Sequence, residues 1–255
     1  MTENAITIRN LTGGYEGNII IKELSLEISK GGFTAIAGPN GAGKSTLFKT
    51  FSAHIKPIAG RIELSGKDLL TYSPKELAKQ LGIVLTERPD DMFLKVFDVV
   101  ASGRYPYTGM FGARDEKDGQ AIQSSLELVG ISRLKDRFFN TLSDGEKQKV
   151  MIAKAIAQNT PVVMLDEPTA FLDYPSKIEL FSLLERLAKE QKKAVLFSSH
   201  DLELLLRFTD CLWMIAKDMP FVSGKSSDLL KNGAVQQYFR LNDRDNQRLS
   251  EALSQ

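Results

Sequence analysis

Between positions 38 and 46 the chain reads GPNGAGKST, and that run of residue types suits one task, the holding of a polyphosphate. Gly38, Gly41 and Gly43 let the backbone take conformations that aim successive N–H groups at phosphate oxygens. Lys44 can neutralise β- and γ-phosphates, and the Ser45 hydroxyl can ligate Mg²⁺. The whole stretch, Gly38, Pro39, Asn40, Gly41, Ala42, Gly43, Lys44, Ser45 and Thr46, is expected to line a nucleotide cradle. A short apolar run precedes it and a helical run follows, so the positive end of that helix also faces the phosphates. An ordinary glycine-rich turn before a helix is the competing reading, and it leaves the lysine and hydroxyl at their required spacing unexplained.

A phosphate cradle alone leaves kinases, GTPases and many ATPases open. Residues 162–168 read VVMLDEP, a buried strand ending in two carboxylates. Asp166 can hold Mg²⁺ directly or through water, because a hard cation prefers oxygen ligands. Glu167 can polarise an attacking water as general base. An acidic pair that merely ends a strand is the alternative.

The sequence LSDGE, at residues 142–146, stands upstream of Asp166 at the head of a helical run. It resembles the LSGGQ signature of ABC-type nucleotide-binding subunits, with Asp144 in place of a glycine and Glu146 in place of the glutamine. The resemblance covers about residues 5–240. Ser143 and the N–H of Gly145 can still bind a γ-phosphate at a helix's positive end, although Asp144 adds negative charge close by. Ser143 with Glu146 also reads as a capping box. The resemblance implies ATP and Mg²⁺ as ligands, with the signature serving the ATP of a partner subunit, so that two copies pair head to tail. It further implies that Tyr15 stacks on adenine, that Asp173 in AFLD bridges the two copies, and that His200 in SSHD contacts the γ-phosphate and orients water. The family's glutamine after the strand at residues 82–85 is absent. Thr86 stands there, and the adjacent Glu87 is the other candidate to contact Mg²⁺. Residues 97–112 resemble the matching segment of ATPases that serve iron-siderophore, haem and cobalamin importers. Phe93, Leu94, Phe97, Tyr105, Tyr107, Met110 and Phe111 are apolar candidates to dock an integral-membrane permease or to pack a helical subdomain. That permease would in turn receive substrate from an extracytoplasmic binding protein. Two rival readings stand beside this one. One is an ABC ATPase without a transport role, such as an iron-sulfur assembly factor; the other is a small-molecule kinase, which would have no use for LSDGE, Asp173 or His200.

These residues need a scaffold. Residues 5–9 and 19–28 alternate in the strand period around a turn-rich stretch and suggest an antiparallel opening. Residues 33–37 begin a strand–loop–helix unit. Strands follow at 62–64 and 82–85, with a helix between them at 74–80. From 96 to 140 strands vanish and helical periodicity appears at 96–102 and 115–129. Strand–helix alternation returns from 162 to 215. The expectation is an α/β fold: a phosphate-loop NTPase core with a mainly parallel sheet, an N-terminal antiparallel β subdomain and an inserted α-helical subdomain at about 87–160. The nucleotide-binding domain would span residues 1–240. Residues 241–255 read as a polar tail that frays.

Bulk properties agree with this assignment. Among 255 residues, 42% are hydrophobic, 25% charged, and the net charge is +1, so no strong field draws nucleic acid. Cys211 has no second cysteine to pair with, which fits a reducing compartment. No apolar stretch approaches the roughly 18 residues a membrane span needs, and residues 1–9 lack a signal core. The expected location is therefore cytoplasmic, peripheral on the inner face of the membrane.

Overall fold

The protein is described from a computed structural model, over residues 3–15, 18–86, 93–108, 114–217 and 219–253. Strands β1 (Asn4–Tyr15) and β2 (Asn18–Ser29) pair antiparallel, with Ile6 opposite Ile28 and Tyr15 opposite Asn18. Strand β3 (Phe33–Ala37) leads through the glycine-rich loop into helix α1 (Lys44–Phe51). Strands β4 (Ala59–Leu64) and β5 (Lys67–Asp68) return to the first sheet. Helix α2 (Pro74–Gln80), opened by a Ser73–Glu76 capping box with proline in its first turn, runs into β6 (Leu81–Val84).

A helical segment follows, made of α3 (Val96–Ala101), α4 (Glu116–Leu128) and α5 (Asp144–Ala157). The α/β alternation then resumes with β7 (Val162–Leu165), α6 (Tyr174–Lys189), β8 (Ala194–Ser198), α7 (Leu202–Phe208), β9 (Cys211–Met214) and β10 (Val222–Gly224). Helices α8 (Ser226–Lys231), α9 (Ala234–Phe239) and α10 (Asp243–Ala252) end the described chain.

Among the described residues the strands form two sheets, ordered β2-β1-β4-β5 and β10-β9-β3-β8-β7-β6. The first is antiparallel; in the second only the β9–β10 pair is. The parallel strands bury both faces, which is why they read as continuous apolar runs. Phe33, Ala35, Val163, Leu165, Val195 and Phe197 face a core shared with α5, α6 and α7. Their alternates Ile36, Val162, Met164, Ala194 and Leu196 face a second core shared with α1 and the antiparallel sheet. A third, smaller core lies inside the helical segment, around Val99, Val100, Ile122, Leu126, Phe139 and Val150.

Polar groups hold the helical segment together and fasten it to its neighbours. The buried guanidinium of Arg104 donates from Nε to Asp118 Oδ1 at 2.8 Å and from Nη1 to the Ala157 carbonyl, also at 2.8 Å. It therefore joins α4 to the last turn of α5. The ring of Tyr107 lies over that guanidinium at 4.0 Å, and the Lys79 ammonium of α2 sits 5.5 Å from the same ring. Gln158 donates to the Ala78 and Leu81 carbonyls at 2.6 and 3.0 Å, closing the end of α2.

One expectation differs from what is seen. The stretch read as a fraying polar tail folds into α10, capped by Asn242, whose side chain accepts from the Asp245 N–H at 2.9 Å. Leu249 and Leu253, one helical turn apart, pack against the main core, so two apolar residues and a cap suffice where overall polarity suggested none would. Among the apolar candidates of the helical segment, Phe93, Leu94, Tyr105 and Tyr107 are exposed, whereas Phe97 packs against the small core. Met110 and Phe111 lie outside the described residues.

Candidate active site

The order β3-β8-β7-β6 puts four strand ends side by side, and the candidate residues sit just beyond their carboxyl ends. The phosphate loop leaves β3, Ser199 and His200 follow β8, Asp166 and Glu167 follow β7, and Thr86 follows β6. Residues more than 100 positions apart in the chain thus meet at one edge of the sheet.

The loop itself is sterically specified. Gly41 and Gly43 have φ of 76° and 104°, in the region L side chains avoid. A Cβ on Gly38 would lie 2.0 Å from the Ile215 carbonyl oxygen, and one on Gly43 would lie 2.3 Å from Ile20 Cγ2. Ile20 belongs to β2, so the antiparallel sheet abuts the loop. Tyr15, half exposed, ends β1 in the same hairpin. Lys44 is buried, and its ammonium donates to the carbonyls of Gly38 at 2.7 Å and Pro39 at 3.3 Å. Ser45 is exposed in the first turn of α1, while Ala42 and Thr46 are buried and Pro39 and Asn40 exposed.

Asp166 is 2% exposed and its Oδ1 accepts the Ser198 hydroxyl at 2.6 Å. The Glu167 backbone has φ of 51°, an unusual conformation for a glutamate, and its N–H donates to the same Ser198 oxygen at 2.8 Å. Glu167 Oε1 is buried without accepting a hydrogen bond. It lies 3.9 Å from Lys44 Nζ and 3.0 Å from His200 Nε2, with no hydrogen bond to either. Burial pushes the Glu167 carboxyl up to about 7, helped by the charges of Asp166 and Asp201 and opposed by Lys44. Burial also lowers the Lys44 ammonium, against the pull of Glu167 and Asp166. His200 is held below its ordinary value by burial and by the Lys44 charge, so its ring is neutral at pH 7. Thr86 turns its hydroxyl toward the Asp166 carbonyl at 3.5 Å; Glu87 lies outside the described residues.

Ser143, Gly145 and Asp173 gather elsewhere. Ser143 is the N-cap of α5, and its amide and hydroxyl donate to Glu146 Oε2 at 3.0 and 3.2 Å, so the capping box exists. Arg137 lies 4.0 Å from Glu146. The N–H and hydroxyl of Ser143, followed by the Arg137 charge, hold the Glu146 carboxyl below its usual range despite its partial burial. A Cβ on Gly145 would lie 3.1 Å from the Phe171 carbonyl oxygen, so the tip of α5 rests on the loop before α6. Asp173 caps α6, accepting from the Ser176 N–H at 3.1 Å.

Sequence reasoning passes over several residues here. Ser198, Ser199 and Asp201 stand in the SSHD run, from which the sequence assigns a role to His200 alone; Thr169 and Ser199 share a hydrogen bond at 2.9 Å, Ser199 donates to Asp201 at 3.2 Å, and Lys177 donates to Asp201 at 2.9 Å. These partnerships follow from the adjacency of β7 and β8.

The cluster offers what phosphoryl transfer to water requires: backbone donors and a cation for phosphate, a carboxylate for a metal, and a second carboxylate whose proton affinity lies near neutrality. A family profile described as ABC transporter matches residues 21–170. An uncharacterised ABC transporter ATP-binding protein of Methanocaldococcus jannaschii is 43% identical over 91% of this chain and 80% of its own. The iron(3+)-hydroxamate import ATP-binding protein of Bacillus subtilis is 34% identical over 93% of this chain and 88% of its own. Among solved structures, a dimeric bacterial ABC transporter cassette superposes with a TM-score of 0.77 at 26% identity, over 87% of this chain and 98% of that one. Phosphate cradle, paired carboxylates, fold and relatives all agree: the chain belongs to the ABC transporter family and is an ATP-binding ATPase of it.

Proposed function

We propose that two copies of this chain close head to tail over two ATP molecules and use hydrolysis to drive a separate integral-membrane permease, importing an iron-siderophore, haem or cobalamin-type chelate. The observation that carries this reading is the meeting of Lys44, Asp166, Glu167 and His200 beyond β3, β7 and β8. Ser143 and Gly145 form a second group at the tip of α5, suited to the γ-phosphate held by the other copy. The name of the Bacillus subtilis relative supports the substrate class. No helix among the described residues is long and apolar enough to cross a membrane, and in this reading the permease is a separate chain. Working beneath it, this chain would be peripheral on the cytoplasmic face, with residues 87–160 as the docking subdomain and Phe93, Leu94 and Tyr105 exposed on it.

The residues fit Mg²⁺ bound together with nucleotide. No group of three or more His, Cys, Asp or Glu among the described residues forms a cation cage, and Mg²⁺ in such sites takes one carboxylate, a hydroxyl and phosphate oxygens. Asp166 and Ser45 would supply the first two, with Thr86 beside them. Bound there, the ion would neutralise charge on the β- and γ-phosphates.

The chain's own residues would act as follows. Lys44 exchanges its bonds to the Gly38 and Pro39 carbonyls for phosphate oxygens. Tyr15 stacks on adenine. Glu167, with a proton affinity near neutrality and an oxygen that accepts no hydrogen bond, takes the proton of the attacking water. Neutral His200 meets the γ-phosphate and orients that water. Asp173 bridges the copies, and release of the γ-phosphate from Ser143 and Gly145 lets them part. Moving such a pair from 1:99 closed to 99:1 closed needs about 5.5 kcal/mol of differential binding, a scale that triphosphate contacts from both copies can reach.

The test is Glu167→Gln with ATP and Mg²⁺, followed by light scattering. A stable dimer that wild type forms only transiently supports the reading. A Glu167→Gln variant that stays monomeric and hydrolyses ATP at the wild-type rate refutes it. Detergent extraction then separates roles: copurification with a multi-span permease supports transport, and recovery without one from native membranes favours an ABC ATPase with no transport role.

A further inference from the structure

Ser198 is the last residue of β8 and is completely buried. Its hydroxyl sits between the two carboxylate residues that follow the neighbouring strand β7. It gives its proton to Asp166 Oδ1 at 2.6 Å and accepts the backbone N–H of Glu167 at 2.8 Å. A backbone N–H can only donate, so it meets a lone pair of the serine oxygen and leaves the single hydroxyl proton for Asp166 Oδ1. Each bond has a separate consequence. The first commits one oxygen of Asp166 to the protein, so a cation would be met through the other. The second holds Glu167 at φ of 51°, a conformation strained for a residue with a Cβ that persists only where its surroundings enforce it. That conformation sets the direction from which the Glu167 side chain reaches Lys44 and His200.

We infer that Ser198 is a positioning residue for hydrolysis: a single buried hydroxyl that fixes the metal-facing carboxylate and the backbone of the general base relative to each other. It acts through the two residues it bonds, Asp166 and Glu167. The inference rests on the proposed roles of Asp166 and Glu167, and it goes beyond them by naming what keeps the two in register. An alanine here leaves the Glu167 N–H and an Asp166 oxygen without their buried partner, while the bonds from Lys44 to the Gly38 and Pro39 carbonyls do not involve Ser198.

The experiment uses the full chain and three measurements: steady-state ATP hydrolysis, binding of a fluorescent ATP analogue without Mg²⁺, and the Mg²⁺ concentration that tightens this binding. For Ser198→Ala we expect kcat to fall about tenfold, the scale of a lost hydrogen bond to a charged group. We also expect the Mg²⁺ requirement to rise severalfold and Mg²⁺-free analogue affinity to match wild type. Ser198→Thr, which keeps the hydroxyl on a strand that accepts β-branched residues, should restore kcat. Wild-type kcat and Mg²⁺ requirement in the alanine variant would overturn the inference, as would equal losses in the alanine and threonine variants. A parallel loss of Mg²⁺-free affinity would overturn it too, because that marks a packing defect. If the alanine chain fails to fold, threonine is compared with Ser198→Cys, whose thiol is a poor donor; equal rates would count against the role. Glu167→Gln run alongside keeps the two readings distinct. Hydrolysis at the wild-type rate there removes the base and this inference together, whereas an inactive Glu167→Gln variant beside a fully active Ser198→Ala variant removes this inference alone.

Discussion

The Lys44 ammonium lies 3.9 Å from Glu167 Oε1 while donating to the carbonyls of Gly38 and Pro39, so the cation of the phosphate cradle and the carboxylate of the adjacent strand end share one partly dehydrated space. Each biases the other. Lys44 pulls the Glu167 carboxyl down against burial, and Glu167 pulls the Lys44 ammonium up against burial.

Lys44→Ala removes that cation. ATP hydrolysis is expected to fall about 100-fold, the scale on which loss of one preorganised electrostatic donor acts. A fluorescent ATP analogue should also bind more weakly. Thermal unfolding of the nucleotide-free variant should change little, because the lysine is bonded only to its own loop and to a carboxylate that can protonate.

Glu167 makes stability depend on pH in a stated direction. Its carboxyl is raised from 4.5 to about 7, so the folded chain holds a proton that the unfolded chain releases first. The stabilising contribution is complete below pH 4.5 and is lost as pH rises through about 7. Glu167→Gln cannot ionise, so its Tm without nucleotide should gain on wild type between pH 5 and pH 8. Parallel Tm curves for the two chains across that range would contradict the assignment.

Glycine positions in the cradle should separate by what surrounds them. Gly38→Ala drives a Cβ to 2.0 Å from the Ile215 carbonyl and should cost about 3 kcal/mol together with nucleotide binding. Gly41→Ala meets nothing within 4 Å and bears only the strain of φ 76°, which should cost about 1 kcal/mol. Denaturant titration of both variants measures the contrast.

The buried Arg104–Asp118 pair should behave as a unit. Burial pushes the Asp118 carboxyl up, but the bonds from Arg104 and from the Asp115 N–H outweigh it and leave the group below its usual range. Arg104→Ala strands a buried carboxylate and is expected to cost about 3–5 kcal/mol, whereas Arg104→Met combined with Asp118→Leu should cost much less. Because the folded carboxyl is depressed, this contribution is present above the ordinary aspartate value and disappears as pH falls through the folded one. A double-mutant cycle at pH 7 measures the coupling.

Much of this chain could be read without coordinates. The shape of the glycine-rich loop was legible because it is set by neighbouring residues: two glycines at positive φ, then a lysine and a hydroxyl at the head of a helix. The strand ending in Asp166, the helix opened by the Ser143–Glu146 box and the alternation of buried strands were legible for the same reason, since each is set by residues within a few positions of one another. Tertiary structure alone decided the rest. Glu167 meets Lys44 and His200 because β3, β8 and β7 lie in that order in the sheet. Ser198 joins Asp166 to Glu167 because two strand ends of equal reach stand side by side, Leu165 opposite Phe197. Residues 243–252 are a helix because Leu249 and Leu253 find the main core already built to pack against. Local order follows from short-range sterics and hydrogen bonds written in consecutive residues, whereas these long-range contacts exist only once strand order and packing bring distant segments together.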